Sequence, residues 1–191
     1  MRTNSGMSSY PVFPDWVFTG SLYLEPTAQA ALLNEIAGKS VKTTHWGGIV
    51  PQMTSGNKQL ANLGRLVGML FYDNMVAHYQ LTEPYKRIEG CDPHVYIVKP
   101  GQDVSSQVIR HRWYQAAVFL NAPVGGSNIY LDMGGSKLYS TPPSVQEFKH
   151  VIEAEPFKVV FWPAHIPWGF TVNNSDVNSA IFTSTYIIKV S

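Results

Sequence analysis

The sequence has one cysteine, little charge and no long apolar run. A lone Cys91 forms neither an internal disulfide nor a cysteine-based zinc site, so both of those frameworks are excluded. Charged residues make up 14% of the chain, against about a quarter in an average soluble protein. With a formal net charge of +1 and no Lys/Arg cluster, the chain lacks the electrostatic footprint of a nucleic-acid binder. No window approaches the roughly 18 apolar residues of a membrane span, and the polar start MRTNSGMSSY lacks the apolar segment of a secretory signal. Together these absences read as a soluble protein, cytoplasmic or carried in a virion, not secreted through a signal peptide, with neither nucleic acid nor membrane as partner.

Two kinds of enzyme site are missing as well. GGSNIYLDMGG lacks the Lys-Ser/Thr and the following helix of a phosphate loop, and its glycines read as hairpin turns. Cys91 lies beside Asp92 and Pro93 in what reads as a turn, with no neighbouring cation to activate its thiol, and no serine stands in a G-x-S-x-G elbow.

What is present is apolar and aromatic. Apolar residues are 45% and aromatics 13% of 191 residues, with ten Tyr and five Trp, enough for one domain with a sizeable core. The stretch YPVFPDWVFTG reads as an extended arm or edge strand. Pro26 opens TAQAALLNEIAGK, a helix over 27–37 with Gly38 as its stop. A Gly-, Pro- and Ser-rich stretch with a short strand leads to Asn57, a suitable cap for a second helix over 58–79. There Leu60, Leu63, Val67, Leu70 and Phe71 form one apolar stripe. Gly64 and Gly68, four apart, suit close packing of that helix on a sheet.

Beyond Gly90 the texture changes. HVYIVK, SQVIRHRWYQAAVFLNA, SNIYLDM, FKVVFWP, GFTVN and NSAIFTSTYIIKV are rich in β-branched and aromatic residues and separated by turn formers. Helices followed by strands predict an α+β fold in a single domain over 1–191. Its N-terminal arm and two helices (1–92) cover one face of a jelly-roll barrel (93–191).

Four pieces carry a resemblance: VKPGQDV, AAVFLNAP, GGSNIYLD and FWPAHIPWGFTVNN. In order and texture they resemble the double-stranded β-helix of the Fe(II)/2-oxoglutarate oxygenases, a cupin-like barrel, in its short prolyl-hydroxylase-like form from phages and marine bacteria. THWGGI before the long helix extends the likeness upstream. The resemblance implies iron held by His-x-Asp or His-x-His on one strand and a distal His on another, with open positions for cosubstrate and oxygen. With the family's spacing counted from Gly101, the first pair falls at Gln107 or Val108 and at Ile109 or Arg110; in the family's phrase around the distal His, which here reads PAHIPWGFTVN, the ligand place falls at Trp168. An indole offers only a donor N–H and cannot ligate. Where the family pairs a basic residue on the last strand with the cosubstrate carboxylate, this sequence offers Ser179, Thr183 and Thr185.

The resemblance therefore predicts the fold, and its altered positions predict no catalytic residue, no metal and no cofactor. Three functions remain open. The first is a non-catalytic jelly roll serving as a structural or interaction subunit of a homo- or hetero-oligomeric assembly such as a phage virion. The second is an Fe(II)/2-oxoglutarate oxygenase with an irregular metal set of His111, Asp132 and His165, which needs a bulge at His111 and a register slip at His165. The third is a small-ligand or sugar-binding barrel, in which Trp16, Trp46, Trp113, Trp162 and Trp168 are available to stack or anchor. Core packing explains the tryptophans equally, turn chemistry explains Asp132 and His165, a solvated strand face explains His111, and loop capping or stacking explains His45.

Overall fold

The structure, a computed structural model, describes residues 8–12, 15–37, 41–43, 49–51, 58–80, 87–109, 111–132 and 149–189. The chain begins with β1 (Ser8–Val12) and β2 (Asp15–Ser21), then α1 (Pro26–Ala37), β3 (Val41–Thr43), β4 (Ile49–Pro51) and α2 (Lys58–Tyr79). Eight further strands follow: β5 (Arg87–Val98), β6 (Val104–Gln107), β7 (Tyr114–Phe119), β8 (Ile129–Asp132), β9 (Lys149–Ile152), β10 (Lys158–Pro163), β11 (Trp168–Phe170) and β12 (Ser179–Lys189).

Both helices form where their apolar spacing places them. In α2 the stripe Leu60, Leu63, Val67, Leu70 and Phe71 is buried and gains Met75. The caps proposed from sequence, Gly38 and Asn57, lie outside the described residues. Among the described residues, Glu35 of α1 caps the α2 N-terminus by accepting the backbone N–H groups of Gln59 (3.1 Å) and Leu60 (3.3 Å). A carboxylate at this position satisfies donors that the helix itself leaves open and complements its dipole.

Among the described residues all strand pairs are antiparallel and form two sheets, one in the order β1-β2-β10-β7-β12-β5-β4-β3 and one in the order β6-β11-β8-β9. The alternation of buried residues gives the large sheet two apolar faces. On its outer face Val95, Ala116, Val118, Phe161, Phe182 and Tyr186 pack under α1 and α2. Phe71 stacks on Tyr186 at 4.2 Å between ring centroids. Gly64 and Gly68 lie over β12, where an added Cβ would touch Phe182 at 3.7 Å and Tyr186 at 3.9 Å, which is the close packing their spacing suggests. On the inner face Tyr96, Val98, Ala117, Phe119, Val160, Trp162 and Ile181 meet Val104, Ile129, Leu131, Ile152, Trp168 and Phe170 of the small sheet. That second core is the interior of the jelly roll. Burying each such large apolar side chain stabilises the fold by about 1.5–3 kcal/mol.

The structure revises several local expectations. The arm adds β1 and β2 to the large sheet through pairing of β2 with β10, so it is part of the sheet and not only a cover. The continuous run from Ser106 to Ala122 breaks into β6 and β7, with His111 in the turn between them. Strand β9 has no counterpart among the strands expected from sequence. Cys91 lies within β5 opposite Thr185, not in a turn. The β5–β12 ladder shifts register between Thr183 and Thr185. The shift accommodates Pro93, which has no N–H to give to the ladder.

Candidate functional site at the barrel mouth

The polar residues of the interior gather at one end. Along β5 the residues His94, Tyr96 and Val98 alternate onto the inner face, and β12 sets Thr183 opposite His94. Strand β7 brings Gln115 opposite Thr185 and opposite Trp162 of β10. From the small sheet, Gln107 at the end of β6 faces Trp168 at the start of β11, which in turn faces Leu131, next to Asp132. Deeper in the barrel the lining is Val98, Val104, Phe119, Ile129, Phe170 and Ile181, all apolar. The mouth is thus polar and aromatic above an apolar floor.

Inside it, the Tyr96 hydroxyl donates to Gln107 Oε1 at 3.4 Å, and Gln115 Nε2 donates to the Ala164 carbonyl at 3.2 Å. Arg112 stands at the rim, its Nε donating to Thr185 Oγ1 at 3.3 Å. The Trp162 and Trp168 rings meet edge to face at 5.4 Å, and Trp168 makes a second such contact with Tyr96 at 5.9 Å. Burial pushes the Tyr96 phenol above its ordinary pKa of 10.0, and the bond to Gln107 pulls part of the way back. Four buried polar atoms at this mouth have no hydrogen-bond partner among the described residues: His94 Nδ1, Gln107 Nε2, Trp162 Nε1 and Trp168 Nε1. Leaving such an atom unpaired costs about 1–3 kcal/mol, so their convergence is a feature to be explained.

The residues proposed for an irregular metal set do not come together. His111 is exposed in a turn with a left-handed φ of 64°, and His165 is exposed in the turn between β10 and β11. Asp132 ends β8 opposite Lys149, its backbone N–H held by the Pro167 carbonyl at 2.7 Å. Neither the bulge nor the register slip that would gather them is present: β11 enters its ladder with Trp168, not His165, facing Gln107. Among the described residues, no three His, Cys, Asp or Glu side chains are grouped to hold a metal ion.

The positions that matter are the ligand places that the resemblance implies. Gln107 and Trp168, assigned to the first and distal ligand places, are direct cross-strand partners at the mouth. Their side chains are 8% and 1% exposed. An indole N–H cannot ligate iron, and the Gln107 oxygen is engaged by Tyr96. These residues do not fit an iron centre. Of the neighbouring positions, Val108 is exposed, Ile109 is half-buried and Arg110 lies outside the described residues.

Sequence reasoning named Gln107, Trp168, Thr183 and Thr185 but missed His94, Tyr96 and Gln115. Their signal is the alternation of β5 and β7. It acquires meaning only once the sheet order sets those strands beside β12 and β10. Of the tryptophans, Trp162 and Trp168 are interior, Trp16 and Trp113 are half-buried against the helix-side core, and Trp46, like His45, lies outside the described residues. An open groove of about 460 Å³ lined by Thr19, His150, Val151, Ile152, Glu153 and Lys158 contains none of the mouth residues. Among the described residues no helix is long and apolar enough to cross a membrane.

No family model matches the sequence and no curated protein matches it. Solved structures do match over nearly the whole chain. A Pseudomonas putida prolyl-4-hydroxylase is similar at 13% identity and a TM-score of 0.65, covering 91% of this chain and 92% of that one. A Burkholderia pseudomallei oxidoreductase of the 2OG-Fe(II) oxygenase family is similar at 8% identity and a TM-score of 0.61, covering 88% and 84%. The viral collagen prolyl hydroxylase of Paramecium Bursaria Chlorella virus-1, solved with 2OG, is similar at 13% identity and a TM-score of 0.60, covering 89% and 94%. These neighbours overturn the expectation of a barrel with no cofactor: the matched structures include an Fe(II) oxygenase and a 2OG complex, so altered ligand positions alone do not remove that chemistry from consideration. The chain has the jelly-roll fold of the Fe(II)/2-oxoglutarate oxygenases, with two helices packed on its large sheet.

Proposed function

We propose that this chain works on a small molecule at the mouth of an oxygenase-fold barrel. The observation that carries this reading is the convergence there of Gln107, Trp162, Trp168 and His94, each with a buried polar atom lacking a partner. A barrel interior used only for support is expected to close over apolar side chains, as the floor below does.

Oxygenase chemistry is the second reading, and the neighbours favour it over a structural role in a phage particle, which no comparison supports. It needs a metal set other than His111, Asp132 and His165, and no such set is grouped among the described residues.

Anaerobic titration with Fe(II), with and without 2-oxoglutarate, followed by admission of O2 and an assay for succinate, separates the two. Stoichiometric iron uptake with succinate formation establishes an oxygenase. Uptake of a small molecule without turnover supports the binding barrel, and failure of both removes the mouth as a working site.

A further inference from the structure

The end of the barrel opposite the mouth departs most from an ordinary solvent surface. Val124 is 99% exposed there, and Val172 and Val177 are 42% and 49% exposed. They sit on two connections, β7–β8 (120–128) and β11–β12 (171–178), which the topology brings to the same end. Val124 takes the second place of a turn in which the Gly126 N–H donates to the Pro123 carbonyl at 2.8 Å and Gly125 holds a φ of 77°, as a type II turn requires. Three hydrogen bonds tie this turn to the neighbouring loop. The Asn174 N–H donates to the Gly125 carbonyl at 2.7 Å, the Ser127 N–H to Ser179 Oγ at 3.0 Å, and Asn121 Nδ2 to the Asn178 carbonyl at 2.9 Å. Buried Asn173 pins the second loop in turn, donating to the carbonyls of Val98 and Val177. The valines are therefore held out to solvent by ordered backbone, and such a surface loses little freedom on docking.

Charge is confined to the edge of this surface. Asp176 is the only charged residue of the two connections. Lys99 and Asp103 stand on the β5–β6 turn, and Glu153 and Glu155 on the β9–β10 turn, where Lys158 engages Glu155. An apolar centre depleted of charge, with a polar rim, is the composition of a protein interface. The neutrality also selects the partner. A second copy brought up about a two-fold axis sets the same patch against itself, so its centre must carry no single sign of charge. The exposed side-chain amides of Asn174 and Asn178 each donate and accept, which lets them pair across such an axis. Three valines alone do not fill the roughly 800 Å² that each partner of a standard interface buries, so these amides belong to the same surface. We infer that two copies of this chain associate through this end of the barrel, with Val124, Val172 and Val177 at the centre of the interface. The inference is independent of what the mouth binds.

Sedimentation velocity of the full chain over a range of concentrations tests it, with Val124→Asp, Val177→Asp and Met69→Glu in parallel. Val124 and Val177 already face solvent, so a carboxylate at either place leaves the fold intact. Met69, 54% exposed on α2, is the control on a different face. The parent is expected to dimerise. Val124→Asp sets two carboxylates at the centre of the interface and is expected to raise the dimer dissociation constant by about tenfold or more. Val177→Asp is expected to weaken the dimer in the same direction, and Met69→Glu to leave it unchanged.

A parent chain that stays monomeric up to about 1 mM overturns the inference. A dimer that both valine variants leave unchanged, or that Met69→Glu disrupts as strongly as they do, overturns it by placing the interface elsewhere. A monomer that co-sediments with neutral phosphatidylcholine vesicles, and no longer does so as Val124→Asp, overturns it in favour of a lipid surface.

Discussion

Gly169 is the residue whose replacement tests the architecture of the mouth most directly. It lies in β11 immediately after Trp168, where the register against β6 slips between Trp168 and Phe170. Across it lies the Tyr130 side chain, whose hydroxyl reaches the Val104 carbonyl at 3.5 Å. A Cβ at 169 would overlap the Tyr130 hydroxyl oxygen and the Val104 carbonyl oxygen, and would stand 2.6 Å from Tyr130 Cζ. The tyrosine can swing away. The Val104 carbonyl belongs to a strand held on β11, and its residue is fully buried.

Overpacking costs about 1–3 kcal/mol, and a backbone obstacle that cannot retreat puts Gly169→Ala at the top of that range. Loss of the long Tyr130 hydrogen bond adds about 0.5–1 kcal/mol. The sum, about 3–4 kcal/mol, corresponds to a fall in Tm of roughly 10 °C in a chain of this size. Chemical denaturation and thermal melting of Gly169→Ala measure it. Tyr130→Phe in the same background is expected to rescue little, because the Val104 carbonyl remains. Gly101→Ala is the control: φ is +76° with open space around it, so only left-handed strain of about 1–2 kcal/mol applies. A Gly169→Ala protein within about 1 kcal/mol of the parent refutes the close approach of β6 and β11, and with it the facing of Gln107 and Trp168.

Three further outcomes are expected. Asn173 is fully buried and donates to the carbonyls of Val98 and Val177, both at 2.8 Å, while accepting from Ser175 N–H and hydroxyl. Asn173→Ala is expected to cost about 2–4 kcal/mol in urea denaturation. Asn173→Asp is expected to cost at least as much at neutral pH, where a carboxylate faces two carbonyls, and less in acid; equal stability of parent and Asp variant refutes the bonding assigned here. His111→Gly relieves a left-handed residue exposed to solvent and is expected to gain about 1 kcal/mol in the same assay; a destabilised variant refutes the turn. Burial raises the pKa of Tyr186, and of Tyr96, above the ordinary 10.0. The unfolded chain ionises first, so stability is level below pH 10.0 and falls as pH rises beyond it. Tyr186→Phe is expected to flatten that fall, and an unchanged alkaline profile refutes the contribution.

Sequence alone determined what local chemistry can determine. The 58–79 stripe fixes α2 because one face of a helix repeats every three to four residues, and the strands from β5 onward follow from β-branched and aromatic runs between turn formers. The family resemblance also pointed to Gln107 or Val108 and to Trp168, and the structure sets Gln107 opposite Trp168. The tertiary structure decided the rest. It ended the long run that starts at Ser106 after Gln107, with His111 in a left-handed turn before β7. It separated His111, Asp132 and His165, which are close in no sense that sequence distance measures. It also brought His94, Tyr96, Gln115 and Trp162 to one mouth, because neighbours in a double-sheet barrel come from strands far apart in the chain, and their unpaired donors are visible only when every possible partner has been placed.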